Sequence, residues 1–344
     1  MDEVARLLSR DRADLFLAAA AVRGLNPRIV EKDFWVCWTL RRLFTLPDAE
    51  PGLIFKGGTS LSKVYNAIKR FSEDVDLSFN RKDLGYPDTD ELIAMSRKQR
   101  EATLAAISKR CHELVSGEYL DRLRTEFAKH LPGPPSHWEL TVAEDDDSGQ
   151  TLNFRYPPAL SAGRTEAPAY IIDAVRLEFG ARSDHWPAEN KTLSAYAAEA
   201  LPEQFKDAIV HVRVLSADRT FWEKATILHM WHHAPLDKPF RDRRSRHYYD
   251  LAMLINQEVG VRAMEDHALL LQVAKHKSVF FQSAWASYGT AKPGTLRLLP
   301  KAERLGVLRK DFAIMRQELL FDSPPTFDEV IATLTAAERS INGQ

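Results

Sequence analysis

The spacing of apolar residues predicts a chain that begins and ends with helices and carries strands between them. Apolar positions recur at helical intervals through residues 1–45, and Asn26-Pro27 divides them into two helices. The short apolar run Gly52–Phe55 is typical of a buried strand. From about Ala217 onward the periodicity is again almost entirely helical. The pattern therefore predicts a helical start, a mixed α/β middle and a helical C-terminal third.

Alternating apolar and polar residues predict strands in the middle of the chain. Residues 137–156 alternate on both sides of Asp147-Ser148-Gly149, a pattern typical of a hairpin closed by a tight turn. Tyr170–Arg182 predicts a further strand, and residues 82–135 are polar and mostly helical, with a helix start at Asp88. The expected regions are N-terminal helices at 1–50 that pack on the core, an α/β core at 51–215 with a helical and hairpin insertion at about 82–168, and a helical C-terminal domain at 216–344.

Composition agrees with an ordinary globular protein. The 344 residues are 44% hydrophobic and 28% charged, which excludes the disordered and fibrous classes. The longest apolar run, Leu15–Val22, is far shorter than the ~20 residues of a membrane helix, and the N-terminus resembles no signal peptide, so we expect a cytoplasmic protein without membrane contact. The two cysteines, Cys37 and Cys111, exclude a disulfide framework. Because the net charge is −1, any nucleic-acid binding requires a local basic patch.

One segment combines a glycine-rich turn with a short amphipathic helix. Gly57-Gly58 follows the predicted strand and lets the backbone turn tightly and approach a ligand closely. The N-terminus of the next helix offers backbone N–H groups and a partial positive charge to a phosphate, and Thr59 and Ser60 lie at that end. The apolar face of this helix is predicted to contain Leu61, Val64, Tyr65 and Ile68.

A strand with two carboxylates follows this helix. Asp74 and Asp76 are two residues apart, so they share one face of the strand, ~7 Å from each other. At that distance two negative charges repel by roughly 2 kcal/mol at an effective dielectric of ~20, which a divalent cation would relieve. Ligands that are all oxygen favour Mg²⁺ or Mn²⁺ over zinc. An isolated Asp-x-Asp is usually an exposed turn, as we expect for Asp145-x-Asp147.

Four motifs occur together over about residues 28–255. They are Glu31-Lys32-Asp33-Phe34-Trp35, Gly57-Gly58-Thr59-Ser60-Leu61 with Arg70-Phe71-Ser72-Glu73-Asp74-Val75-Asp76-Leu77, Phe221-Trp222-Glu223-Lys224, and Arg246-His247-Tyr248-Tyr249-Asp250-Leu251. This set resembles the AbiEii/AbiGii toxin nucleotidyltransferases, which include the MenT toxins and belong to the DNA-polymerase-β-like superfamily. The resemblance implies an α/β fold with a small mixed sheet and flanking helices. It also implies an enzyme that uses an NTP with Mg²⁺ or Mn²⁺, and a toxin of a toxin–antitoxin or phage-defence pair with a cognate antitoxin.

The resemblance also implies roles for individual residues. The superfamily has a third carboxylate beside the aspartate pair, which we assign to Glu178, with Asp173 as the alternative; Glu178 could instead face solvent. The metal ligands are then Asp74, Asp76 and Glu178. The expected nucleotide-binding residues are Gly57, Gly58, Thr59, Ser60, Lys63 and Lys224, and either Thr59 or Ser60 contacts the triphosphate. The expected catalytic residues are Asp74, Asp76, Glu178, Lys224 and Asp250.

Asp250 is predicted to lie in an apolar helix and therefore needs a cationic partner. A pair with Lys224 agrees with the paired use of these two motifs in the family, and a pair with Arg246 is the alternative. Lys224 then has two interpretations. Its flexible stem could bring a point charge to a phosphate, or its ammonium could only neutralise Asp250.

A basic segment, Lys238–Arg246, directly precedes Asp250 and its flanking tyrosines. Its arginines, with adjacent aromatic residues, could contact the phosphates of an RNA, or they could form only a solvated loop. The candidate RNA-binding residues are Arg241, Arg243, Arg244 and Arg246. Some members of the family that this sequence resembles add pyrimidine nucleotides to the tRNA 3′ end. The resemblance therefore makes tRNA the first expected acceptor. The alternatives are transfer to a small molecule or protein, and a non-catalytic nucleotide-binding module.

Overall fold

The structure, a computed structural model, describes residues 1–47, 52–131, 137–160, 172–238 and 243–344. The chain folds as two compact units. The first contains residues 1–64, 71–86 and 101–214, and the second contains residues 65–70, 87–100 and 215–344. The second unit therefore includes two short segments from earlier in the chain, which the spacing of apolar residues does not indicate.

The first unit opens with three helices, one more than the two predicted: α1 (Asp2–Ala5), α2 (Ser9–Arg23) and α3 (Pro27–Thr45). The break before α3 has a local cause. The Asn26 side chain accepts a hydrogen bond from the Arg28 backbone N–H at 2.9 Å, and Pro27 occupies the first helical position. Almost every side of α3 is buried, including three consecutive charged residues, so this helix lies in the core rather than on the surface.

In the described part of the chain, seven strands form one mixed sheet. The strands are β1 (Leu53–Lys56), β2 (Asp74–Phe79), β3 (Glu139–Val142), β4 (Thr151–Arg155), β5 (Ala174–Glu178), β6 (Ala188–Leu193) and β7 (Val210–Leu215). Their order in the sheet is β3-β4-β5-β2-β1-β7-β6. Strand β1 is antiparallel to β2 and parallel to β7, β2 is parallel to β5, and β3, β4 and β5 pair antiparallel. The predicted mixed α/β class is confirmed.

Two predictions about this region are wrong in detail. The helix after Gly57, α4 (Gly57–Lys63), does not continue to Ile68. Asn66 has a positive φ of 48°, a value that a right-handed helix does not contain. The strand expected at Tyr170–Arg182 is shorter, since the sheet pairs only β5, and Tyr170 lies outside the described residues. Strands β6 and β7 were not predicted, although alternate residues of β7 are buried.

The insertion after β2 contains the predicted helices and hairpin. Asp88 caps α5 (Thr89–Ala94) in a capping box with Glu91, as the helix start signal predicts. Helices α6 (Arg97–Leu114) and α7 (Leu120–His130) are separated by a kink at Gly117, whose backbone is not helical. Strands β3 and β4 form the hairpin. The first unit also contains α8 (Tyr196–Ala200).

The second unit is helical, as the periodicity after Ala217 predicts. Its helices after β7 are α9 (Ala217–His233), α10 (Ser245–Ile255), α11 (Glu258–Glu265), α12 (His267–Phe280), α13 (Leu305–Glu318) and α14 (Phe327–Ile341). The Ser216 hydroxyl caps α9 by accepting a hydrogen bond from the Arg219 N–H. Helices α9 and α10 carry the two later sequence motifs into the apolar interior of this unit.

Candidate active site

Asp74, Asp76 and Glu178 lie on one face of two neighbouring strands. Strands β2 and β5 run parallel with Asp76 opposite Glu178, and residues paired in this way point to the same face. Alternation along β2 places Asp74 on that face too. Burial raises the pKa of Glu178, and the negative charges of Asp76 and Asp74 raise it further. The structure thus brings together the three carboxylates that the sequence analysis selects.

The alternative third carboxylate, Asp173, has a different partner. It accepts a hydrogen bond from Nη2 of Arg28 at 2.6 Å. Strand register therefore favours Glu178 over Asp173 as the neighbour of the aspartate pair.

Two cations flank the three carboxylates. Nζ of Lys56 lies 3.8 Å from Oδ1 of Asp76. On the other side, Nε of Arg176 donates to Oε1 of Glu178 at 3.2 Å, and its Nη1 donates to both carboxylate oxygens of Asp145 at 2.8 and 3.1 Å. Within the described ranges, no three His, Cys, Asp or Glu side chains are already arranged to hold a metal ion. Lys56 and Arg176 therefore offset only part of the negative charge of the three carboxylates.

Gly57 is required by its contact with Asp76. Its φ is +76°, a left-handed value that L side chains rarely adopt. A Cβ atom at this position would lie only 1.9 Å from Oδ2 of Asp76. The absence of a side chain at Gly57 therefore lets the Asp76 carboxylate lie against the start of α4.

We expect Gly57→Ala to lower the free energy of unfolding by at least ~2 kcal/mol, because the substitution adds backbone strain to a steric clash. Transfer activity should fall by more than the loss of folded protein explains, since Asp76 must move away from its position. The matched control is Gly180→Ala, where a Cβ meets no atom within 4 Å and the backbone is not left-handed. Chemical denaturation and single-turnover rates measure both effects, and equal behaviour of the two variants would contradict the close approach.

The hydroxyls of Thr59 and Ser60 are hydrogen-bonded to the backbone. Thr59 Oγ1 donates to the carbonyl oxygen of Asp74, and Ser60 Oγ donates to the carbonyl oxygen of Gly57 at 2.8 Å. Both side chains are fully buried. The Thr59 bond holds α4 against the first residue of β2, whereas the Ser60 bond lies within α4. Contact of either hydroxyl with a triphosphate stays a prediction.

Lys63, expected to bind nucleotide, is deeply buried. Its Nζ lies 2.8 Å from Oδ1 of Asp33 and 3.5 Å from the ring centre of Tyr196. Burial alone would lower the pKa of Lys63, but the charge of Asp33 holds it above the ordinary value. The ammonium of Lys63 is therefore engaged inside the first unit, and its nucleotide contact stays a prediction.

The Glu31-Lys32-Asp33 motif holds separate segments of the first unit together. The Glu31 carboxylate accepts hydrogen bonds from the N–H groups of Ala159 and Leu160 at 2.6 and 3.0 Å. Nζ of Lys32 lies 2.7 Å from Oε2 of Glu73, the residue before Asp74. Besides contacting Lys63, Asp33 accepts a hydrogen bond at 2.6 Å from the N–H that begins α8. This motif has a structural explanation in its buried contacts.

In the second unit, Lys224 and Asp250 form the predicted pair, with Nζ 2.7 Å from Oδ2. Arg70, which the sequence analysis did not assign to a site, completes the cluster. Its Nε and Nη2 donate to Oδ1 and Oδ2 of Asp250 at 2.7 and 2.9 Å. Burial opposes the charge of Asp250, yet Arg70 and Lys224 hold its pKa below the ordinary value. Burial and the charge of Arg70 lower the pKa of Lys224.

The structure describes the basic segment at Lys238 and from Arg243 onward, and Arg241 lies outside the described residues. The Asp311 carboxylate accepts hydrogen bonds from the backbone N–H groups of Arg243 and Ser245, both at 2.8 Å. The guanidinium of Arg244 lies 4.7 Å from the ring centre of Trp231. Asp311 and Trp231 thus fix the end of this segment where α10 begins.

Sequence comparison identifies the family. A family model described as the nucleotidyl transferase AbiEii toxin of type IV toxin–antitoxin systems matches residues 38–333. This chain belongs to the AbiEii family. It is therefore a nucleotidyltransferase and a toxin of a type IV toxin–antitoxin system, for which an antitoxin is implied. Enzymes of this class use an NTP and generally a divalent metal ion.

A solved structure extends the comparison. The nucleotidyltransferase toxin MenT4 from Mycobacterium tuberculosis H37Rv is 18% identical, with a TM-score of 0.43 over 95% of this chain and 96% of that chain. No curated protein matches this sequence. Among the residues described, no helix has the length and apolar character needed to cross a membrane.

Proposed function

We propose that this AbiEii-family enzyme transfers an NMP group from an NTP to an RNA acceptor, first of all the 3′ end of tRNA, and requires Mg²⁺ or Mn²⁺. The observation that carries the proposal is the shared strand face of Asp74, Asp76 and Glu178. The support for an RNA acceptor is the basic segment that leads into α10, where aromatic rings lie next to basic side chains.

The donor set fits a hard divalent cation, because all three side chains offer carboxylate oxygens. Burial raises the pKa of Glu178, and the negative charges of Asp76 and Asp74, which a cation would offset, raise it further. To serve as a ligand, Glu178 must exchange its hydrogen bond with Arg176, and Arg176 then keeps Asp145 as its partner. When bound, the metal supplies stabilisation of negative charge on the attacking and leaving oxygens. Asp76, in contact with both Gly57 and Lys56, connects the carboxylates to the glycine turn.

The remaining residues bind and orient the substrate. At the Gly57–Ser60 turn, the hydroxyls donate to carbonyl oxygens, so we assign triphosphate binding there to the first backbone N–H groups of α4. We assign to Lys224 the offsetting of negative charge that develops during transfer. Its support is its motif and the position of its buried Nζ, 2.7 Å from Oδ2 of Asp250. Asp250 and Arg70 orient it.

The test is incubation of the protein with each labelled NTP, Mg²⁺ or Mn²⁺, and total RNA. We expect one or a few NTPs to label an RNA of tRNA size at its 3′ end, and no label when the divalent metal is chelated. Label in a small molecule or a protein would replace the RNA proposal with one of the alternatives. Failure to bind any NTP in the presence of metal would favour a non-catalytic module.

Replacing Arg243 and Arg244 together by alanine should weaken RNA binding and reduce the salt slope of log Kd by ~2, because each lost phosphate contact removes ~1. NTP affinity should change little. The charge-matched control is the pair Arg262→Ala and Lys275→Ala, exposed cations of the same unit that face Asp218 and Asp90. If the control and the test variant have the same salt slope of log Kd, the basic segment is only a solvated loop.

A further inference from the structure

Lys56 lies on the carboxylate face of the sheet. It is the last residue of β1 and is paired with Asp76 of β2, so the two side chains share a face. Its Nζ lies 3.8 Å from Oδ1 of Asp76, and 23% of its side chain is exposed. The other oxygen of Asp76, Oδ2, lies over the Cα of Gly57. Lys56 and the glycine turn therefore meet at the same carboxylate.

Three of the side chains that the sequence predicts to donate hydrogen bonds to phosphate have other partners. Lys63 is buried against Asp33, and the hydroxyls of Thr59 and Ser60 donate to backbone carbonyls. Lys56 lies immediately before the glycine turn, and its side chain is partly exposed to solvent. Its four-carbon stem permits that point charge to change partners without movement of the sheet.

We propose that Lys56 contacts a phosphate of the NTP and is the counter-ion of Asp76 only while nucleotide and metal are absent. This inference rests on the proposed metal centre at Asp74, Asp76 and Glu178. When Asp76 becomes a metal ligand, the ammonium of Lys56 loses its attraction to that carboxylate and is repelled by the cation. A triphosphate oxygen next to the metal would then offer this ammonium a new negatively charged partner.

The proposal predicts opposite changes in two affinities. Lys56→Met removes a positive charge beside Asp76, so a divalent cation should bind the free enzyme more tightly, by about five- to tenfold. The same substitution removes a charged phosphate contact, so NTP affinity at saturating metal should fall by about tenfold. A merely structural lysine would not shift the two constants in opposite directions.

The experiment measures Mn²⁺ affinity without nucleotide by electron paramagnetic resonance. It then measures affinity for the four α,β-methylene NTPs at saturating Mn²⁺ by calorimetry. Lys56→Met should show both shifts with an unchanged melting temperature, whereas Lys56→Arg, which keeps the charge, should stay within about threefold of wild type on both. The control is Lys191→Met, which removes an exposed lysine that faces Glu189 on β6. It should leave both affinities unchanged.

The outcomes separate failure of this inference from failure of the metal centre. If wild type binds Mn²⁺, Asp76→Asn abolishes that binding, and Lys56→Met alters neither affinity, Lys56 has no phosphate role. A joint loss of both affinities with a lowered melting temperature would assign Lys56 to structure and overturn the proposal. If Asp76→Asn binds Mn²⁺ as wild type does, the proposed metal centre itself is wrong, and the Lys56 inference is overturned with it.

Discussion

Asp76→Asn is expected to reduce nucleotidyl transfer by at least ~10³-fold, because it removes a proposed metal ligand at the centre of the cluster. The fold should remain intact. The side chain keeps its size against Gly57, and removing a negative charge relieves one cause of the raised pKa of Glu178. The melting temperature should therefore equal or exceed that of wild type. Growth inhibition by the toxin should be lost together with activity.

The matched control is Asp147→Asn, in the second Asp-x-Asp of the chain. Asp147 lies in the exposed loop of the β3–β4 hairpin, so this variant makes the same chemical change away from the carboxylate face. It should keep wild-type transfer and toxicity. Full activity of Asp76→Asn, or equal loss in both variants, would remove Asp76 from the catalytic set.

The carboxylate face could be predicted from sequence because its geometry is local. A strand alternates its side chains, so Asp74 and Asp76 share a face wherever the strand lies. The prediction that Glu178 lies beside them required one more assumption, that β5 pairs with β2 in matching register. The resemblance to a known family supplied that assumption. Gly57 was identified as a turn residue, but its contact with Asp76 depends on how β2 passes α4. That packing has no signal in the spacing of residues.

Long-range partners account for what the sequence analysis missed. Arg70 and Asp250 are 180 positions apart, and their contact depends on a segment before β2 joining the second unit. The buried partners of Lys63 and Lys32 are likewise tertiary contacts. A lysine in a short helix at a glycine turn suggests a ligand contact, and only the packing around α3 shows that Lys63 is enclosed.

For Lys224, the charges in the buried cluster predict separate effects on stability and catalysis. Arg70 and Lys224 carry two positive charges against the single negative charge of Asp250. Lys224→Met leaves a neutral pair in which Arg70 still donates to both oxygens of Asp250. The free energy of unfolding should therefore fall by only ~1.5–3 kcal/mol, the loss of one hydrogen bond to a charged group. Asp250→Asn leaves two buried cations without a counter-ion and should cost ~3–5 kcal/mol.

Lys224→Met should affect catalysis strongly although it affects stability only modestly. If the ammonium of Lys224 offsets charge in the transition state, Lys224→Met should lower kcat/KM by about two to three orders of magnitude, in line with ~3–4 kcal/mol for one preorganised contact. Lys224→Arg should restore little, since a planar guanidinium does not replace a compact ammonium. Denaturant unfolding and single-turnover rates on these three variants give both quantities. A Lys224→Met protein as unstable as Asp250→Asn, with transfer lost only in proportion to unfolding, would make Lys224 a structural counter-ion.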